Sequence, residues 1–319
     1  MSFTEEKRKA IRAYMLDKIR CDDSGFIKKT AENFGISETS VRRYIKECLE
    51  KEIIREDSKA RTGYQLVTVS SRWQMKNDRT LEEDALFWEQ ITFAIQKDAL
   101  YTEISIADDG IGIFRNIQKY AGEKYGVEID REQAALELYK GRLTTDPDRH
   151  SGEVIFFVSK MLSEFAVWSE NTVYSYRCGD RDRFVRSHLI SYYTQLEGIG
   201  TMAVMKLENE SKRTSREVFD EFAPLEEGFV RTLIPMKDMC PLWDPVARSQ
   251  ARRILRRLDE FREIIFDFRG IGFMGQGFAD EVFRVFQNMH PDIKLTVINA
   301  NASVLGMIRH VKREEKPAG

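Results

Sequence analysis

Residues 104–114, Ile-Ser-Ile-Ala-Asp-Asp-Gly-Ile-Gly-Ile-Phe, constrain the fold of this chain more than any other stretch. Ile104 and Ile106 alternate with Ser105 and Ala107 as a strand requires, and the strand runs straight into an acidic turn with two glycines two residues apart. Without a Cβ, Gly110 and Gly112 let the backbone bend sharply and approach a ligand closely. Asp108, at the strand end, is placed to accept a hydrogen bond from an amino group held in that bend. Taken alone, the same residues also read as a strand-to-helix turn with an N-capping Asp.

The first seventy residues have a different character. Ile11, Tyr14, Met15 and Ile19 share one face of a predicted helix over 5–20. Gly25 breaks it, a second helix begins at Phe26, and Gly35 ends that one. Ser37 is a good N-cap for a third helix carrying Val41, Ile45, Leu49 and Ile53 inward. The spacing Ala31, Gly35, Val41 suits a helix-turn-helix: a small residue for close approach, a glycine for the turn, a valine to lock the second helix. A short strand at 53–55 and a basic-tipped hairpin over 59–66 follow, so residues 1–70 resemble a winged helix-turn-helix domain. In that arrangement Glu38, Thr39, Arg42, Arg43 and Lys46 lie on the outer face of the recognition helix, and Lys59 and Arg61 at the wing tip. The DNA-binding set is therefore Thr39, Arg42, Arg43, Lys46, Lys59 and Arg61. Residues 1–64 hold 15 Lys/Arg against 12 Asp/Glu, which leaves a protein-binding winged helix with merely solvated charges as the competing reading.

After a polar linker at 76–80, residues 81–100 read as a helix packing through Leu86, Phe87, Ile91, Phe93 and Ala94. Beyond the glycine turn, helices are predicted over 114–125 and 131–139. A donor-rich loop at 140–153 then feeds a helix over 155–162, which is a natural cradle for phosphate oxygens. Gly198-Ile199-Gly200-Thr201 precedes a strand over 202–207. In that order, Asp108-x-Gly110-x-Gly112, the 140–152 loop and Gly200-Thr201 resemble the second half of a GHKL (histidine kinase-like, Bergerat-type) ATPase domain, an α/β sandwich, here over residues 81–236. The resemblance implies ATP as cofactor, a lid at 140–152, and nucleotide-binding residues Asp108, Gly110, Gly112, His150, Ser151, Gly152, Gly200 and Thr201. It is strongest to a bacterial subgroup in which a helix-turn-helix, an ATPase-like domain and a STAS-like domain share one chain.

Two departures bear on catalysis. GHKL enzymes place a helix with Glu and Asn before the first glycine box, the Glu polarising water and the Asn holding Mg²⁺. Here the predicted helix over 81–100 offers Glu89, Gln90 and Gln96 but no Asn, and it abuts the Asp108 strand with no room for an intervening strand. Mg²⁺ is accordingly disfavoured. Val154 also stands where a lid glycine is expected, and valine avoids positive φ. His150 and Glu153 invite an acid–base role, although a lone loop His more often only makes structural hydrogen bonds. No catalytic residue is assigned and no metal site is expected.

Pro241 and Pro245 flank Trp243 at a predicted boundary. Beyond it a helix over 247–260 bears Arg248, Arg252, Arg253, Arg256 and Arg257, read chiefly as a solvated face balanced by local acids. A buried strand at 263–268, a Gly-rich turn at 270–277, a helix, a strand at 294–298 and a closing helix imply a small parallel sheet. This order resembles the STAS fold of anti-sigma-factor antagonists, over residues 241–319. Antagonists carry a phosphorylatable Ser at the start of the first helix, whereas Met274 to Phe278 contains neither Ser nor Thr. That helix N-terminus is expected to remain open to an anion or acidic partner group.

The whole reads as an α+β and α/β multidomain chain. Its 319 residues suffice for two or three domains, and 50 basic against 52 acidic residues give no overall pull toward nucleic acid or anionic lipid. Cys21, Cys48, Cys178 and Cys240 form no C-x-x-C pair, no apolar run approaches the ~18–20 residues of a membrane helix, and the N-terminus lacks a signal-type apolar core. A cytoplasmic setting without membrane contact is expected. The partners expected are DNA through residues 1–70 and a protein through the STAS-like domain, and a homodimer is compatible with the sequence. The leading function is a DNA-binding regulator with a degenerate ATP-binding module and a STAS-like sensor or partner element. An active ATPase or protein serine kinase, and a non-catalytic scaffold, are the alternatives.

Overall fold

The computed structural model describes residues 3–76, 90–145, 151–176, 200–240 and 244–313. The chain mixes helix and sheet and divides into two compact units: Met1–Gly112 with Leu162–Asn171 and Ser175–Lys212, and Ile113–Met161 with Thr172–Tyr174 and Arg213–Gly319.

The first unit opens with α1 (Glu5–Arg20), α2 (Phe26–Phe34) and α3 (Glu38–Glu50). Thr4 and Ser37 cap α1 and α3 through their side-chain oxygens, and Gly35 closes α2 at φ 60°, where a Cβ would be strained. Ile11, Met15, Leu16, Ile19, Phe26, Val41, Tyr44 and Ile45 form one core, to which β1 (Ile54–Glu56) and β2 (Tyr64–Leu66) add Ile54 and Leu66. β1 and β2 pair antiparallel. Asp22, after α1, accepts from the Thr62 amide at 3.0 Å and from Arg61 Nε at 3.4 Å, tying the hairpin tip to the helices.

A larger sheet follows, with strand order β3-β4-β5-β8-β6-β7. Its members are β3 (Val69–Lys76), β4 (Gln90–Lys97), β5 (Tyr101–Asp108), β6 (Glu164–Ser169), β7 (Thr172–Tyr176) and β8 (Thr201–Glu208). β3 to β5, β5 to β8 and β6 to β8 are all antiparallel. One face is built from small residues, Ala94, Ala107 and Ala166 with Met202 and Val204.

Two expectations fail here. The predicted helix over 81–100 is a strand across 90–97, and residues 77–89, with Glu89, lie outside the described residues. Phe87, Ile91 and Ala94 follow a helical spacing, but Ile91, Phe93 and Ile95 alternate with Thr92 and Ala94 as a strand requires, and β4 pairs on both sides, with β3 and β5. Every backbone group across a two-sided ladder finds a partner, which outweighs a weak helical preference. β4 is thus an intervening strand before β5, for which the sequence argument had left no room. The start of the expected polar linker, at Lys76, is the end of β3.

The second unit holds α4 (Ile113–Tyr125), α5 (Arg131–Lys140), α6 (Val154–Met161), α7 (Ser215–Phe222), β9 (Arg231–Pro235) and α8 (Met236–Met239). After these come α9 (Arg248–Leu255), β10 (Glu263–Asp267), α10 (Gln276–Asp280), β11 (Lys294–Ile298) and α11 (Ala302–Arg313). α10 continues through a π-helical stretch, Glu281–Phe286, into a last turn, Gln287–Met289. The helix expected over 247–260 is shorter, because Arg257 turns left-handed at φ 65° before a 3₁₀ turn at Leu258–Glu260. β10 lies between β9 and β11, parallel to both. β9, inside the stretch read as the end of the central domain, therefore belongs to the same sheet as the C-terminal strands. Phe156, Phe157, Phe222, Phe229 and Phe261 pack ring against ring at 4.7–5.5 Å.

Beside them, buried Lys140 donates to Glu137 Oε1 at 2.6 Å and to the carbonyls of Arg253 and Arg256 at 3.2 and 3.0 Å. The chain thus satisfies an ammonium taken wholly out of water.

Candidate functional site

The antiparallel pairing of β5 with β8 sets Asp108 opposite Thr201, joining residues that lie far apart in the sequence. The Gly110 amide donates to Asp108 Oδ1 at 2.9 Å, the Gly200 amide to the Asp108 carbonyl at 2.8 Å, and the Thr201 amide also holds the carboxylate. Burial pushes the Asp108 carboxyl above its ordinary value, against the pull of these amides. Asp109 Oδ1 accepts from the Gln90 amide at 3.0 Å, fastening the start of β4 to the turn. Five of the predicted nucleotide residues, Asp108, Gly110, Gly112, Gly200 and Thr201, therefore form one cluster. Its chemistry is that of a half-buried carboxylate still able to accept from an amino group.

The glycines serve a purpose that the sequence did not disclose. A Cβ on Gly200 would fall on the Gly110 carbonyl, within 2.5 Å of its carbon and 2.6 Å of the Gly110 nitrogen. Gly112 sits at φ 91°, and a Cβ there would meet Ser169 Oγ and come within 3.1 Å of the Gly200 carbonyl oxygen. Ser169, at the end of β6, donates to that same oxygen at 2.6 Å. Backbone-on-backbone packing accounts for these glycines. Nothing local in the sequence marked Ser169, because its role depends on β6 lying beside β8.

Ser151 and Gly152 belong to the other unit, and His150 lies outside the described residues. Gly152, at φ 72°, lies against Leu143, whose carbonyl carbon would be 2.5 Å from an added Cβ. Gly152 takes the left-handed conformation of this loop, while Val154 is the first residue of α6 and has no positive φ. Val154 therefore carries no backbone strain, and the departure from the glycine of the resembled lid stands. Arg142 anchors the other end of the loop by donating to the Glu260 carbonyl at 2.8 Å and to the Phe229 carbonyl.

On α3, Thr39, Arg42, Arg43 and Lys46 are all exposed, while Val41, Tyr44, Ile45 and Cys48 are buried on the opposite side. Arg42 and Lys46 make only loose i,i+4 pairs with Glu38 and Glu50, at 3.8 and 3.9 Å. Such exposed pairs contribute little and yield readily to a stronger anion. Lys59 and Arg61 are exposed on the hairpin, with Arg61 shared with Asp22.

In the C-terminal region Arg248 pairs with Asp280 at 2.6 Å and Arg252 with Glu281 at 2.7 Å. Arg284 also bonds Asp280, and with Arg248 it holds that carboxyl below its ordinary value. The balancing acids for Arg248 and Arg252 are thus on the helix that follows β10, not the nearby Asp259, Glu260 and Glu263 that the sequence suggested. The start of α10 is likewise occupied: the Gly275 amide donates to the Pro245 carbonyl at 2.9 Å and the Phe278 amide to the Val246 carbonyl at 3.1 Å. The expected open anion site there is closed by the chain itself.

Residues 250–305 match the family model of a STAS-like domain of unknown function (DUF4325). The matched stretch runs from within α9, through β10, α10 and β11, into α11. No curated protein and no solved structure matches the chain. Around the STAS-like domain, and among all the described residues, no group of three His, Cys, Asp or Glu side chains could hold a metal ion. No helix among them is long and apolar enough to cross a membrane.

Proposed function

We propose that this chain is a DNA-binding regulatory protein, with residues 1–70 as a winged helix-turn-helix. Its central sheet keeps the adenine-reading half of a GHKL-type pocket, and its STAS-like domain binds a protein partner. One observation carries the DNA-binding reading: α3 presents Thr39, Arg42, Arg43 and Lys46 together on the face turned away from its core. Two guanidiniums and an ammonium on an exposed helix face suit phosphate oxygens and the acceptor edges of the major groove. Lys59 and Arg61 on the hairpin extend that basic surface.

Binding to duplex DNA, measured by fluorescence anisotropy against salt, tests this reading. Replacing Arg42 and Arg43 together by Ala is expected to weaken binding and to lower the log K–log salt slope by about 1–2. An unchanged slope and affinity would refute it.

For the nucleotide, Asp108 is proposed to accept from the exocyclic amino group of adenine. Calorimetry with ATP, for wild type and Asp108→Asn, addresses that part separately. Heat of binding that vanishes in the variant supports it, and equal heats from both proteins exclude it.

A further inference from the structure

β3 is an edge strand of the larger sheet among the described residues, paired on one side only, with β4. Each of residues 69–74 is exposed, and the apolar members are no exception: Val69 is 69% and Trp73 51% accessible. Its pairing with β4 runs unbroken from Val69↔Lys97 to Lys76↔Gln90, with no bulge, and the strand contains no proline and no acidic residue. A long, regular edge with an aromatic side chain outward is a template for another strand.

We propose that β3 is a dimer interface, and that it pairs antiparallel with β3 of a second copy of this chain about a two-fold axis at Trp73. This inference is independent of what the chain binds. A two-fold axis perpendicular to a continuous sheet keeps matching faces together, so it must pass through a residue position and not between two. The sequence of β3 then discriminates among the registers. Centred on Arg72, the axis opposes two guanidiniums. Centred on Gln74, it leaves Val69 to Ser71 unpaired. Centred on Ser71, it leaves Gln74 onward unpaired. Centred on Trp73, it stacks the two indoles and sets Arg72 against Gln74, Ser71 against Met75 and Ser70 against Lys76. Only this register pairs residues 70–76 throughout without opposing like charges, which destabilise a cross-strand pair.

The sheet surface next to Trp73 supports the same geometry. Phe93 and Ile106 lie in its cross-strand row, and a concavity of about 420 Å³ lined by Trp73, Gln74, Phe93, Ile95 and Ile104 adjoins it. Two such patches would become continuous across the axis.

Sedimentation velocity of the full chain, with disulfide trapping, tests the proposal. Wild type is expected to sediment as a dimer and Trp73→Glu, which opposes two carboxylates, as a monomer with unchanged far-UV circular dichroism. Under oxidation, Trp73→Cys is expected to give a covalent dimer with peptide mapping to a 73–73 link, because directly paired Cα atoms lie about 4.5–5.5 Å apart. Arg72→Cys is expected to give none at position 72, because its own counterpart lies diagonally, about 7–8 Å away. A wild-type monomer, a dimer that persists in Trp73→Glu, or a 72–72 link in place of 73–73 would each overturn the proposal.

Discussion

Gly200→Ala isolates the claim that the glycine turn is built by backbone packing. Gly200 does not have positive φ, so an alanine there carries no conformational penalty of its own. Its Cβ would nevertheless stand 2.5 Å from the Gly110 carbonyl carbon and 2.6 Å from the Gly110 nitrogen, neither of which belongs to a movable side chain. Relief requires β8 and the Asp108 turn to separate. That movement stretches the Gly200 N–H to Asp108 carbonyl bond, 2.8 Å long, and disturbs the Ser169 bond to the Gly200 carbonyl. Overpacking costs about 1–3 kcal/mol and each weakened hydrogen bond about 0.5–1.5 kcal/mol, so a total loss of about 2–6 kcal/mol is expected. Urea unfolding read by tryptophan fluorescence measures it, since Trp168 lies on β6 beside β8. Gly63→Ala serves as control: Gly63 has φ 76° and nothing within 4 Å of an added Cβ, so it reports the conformational penalty alone, about 1–2 kcal/mol. A Gly200→Ala protein within about 0.5 kcal/mol of wild type would refute the packing argument.

Two further outcomes follow from the buried charges. Lys140→Met removes the ammonium held by Glu137 and the carbonyls of Arg253 and Arg256, and leaves Glu137 paired with Arg257 at 3.4 Å; it is expected to cost about 1–3 kcal/mol in urea unfolding, and a loss under about 0.5 kcal/mol would show that the cluster relaxes freely. Burial raises the Asp108 carboxyl above its ordinary value, so the folded state binds a proton more readily than the unfolded one. That contribution is present at low pH and is lost as pH rises from the unfolded to the folded value. Asp108→Asn is therefore expected to flatten the pH dependence of the urea midpoint across that window, and parallel wild-type and variant curves would contradict the assignment.

The three N-terminal helices were legible because their signals are local. Ser37 caps α3, Gly35 ends α2 with positive φ, and apolar residues recur at helical spacing. β5 and β10 were equally plain as apolar strands before glycine-rich turns. Residues 90–97 were not, since Phe87, Ile91 and Ala94 fit a helical period while Ile91, Phe93 and Ile95 alternate as in a strand, and neighbours on both sides select the strand.

By itself, the sequence determined which short segments are helix or strand wherever caps, glycines and periodicity agree, and it placed Asp108, Gly110 and Gly112 in one turn. The resemblance in motif order had joined Gly200 and Thr201 to it; tertiary structure alone decided that Ser169 closes that turn, that Asp280 and Glu281 neutralise Arg248 and Arg252 of α9, and that the start of α10 is closed by Pro245 and Val246. The physical reason is the same in each case. A cap or a turn is settled by atoms a few residues apart, whereas a close backbone contact or a buried ion pair depends on which strands and helices become neighbours, and no local residue pattern records that choice.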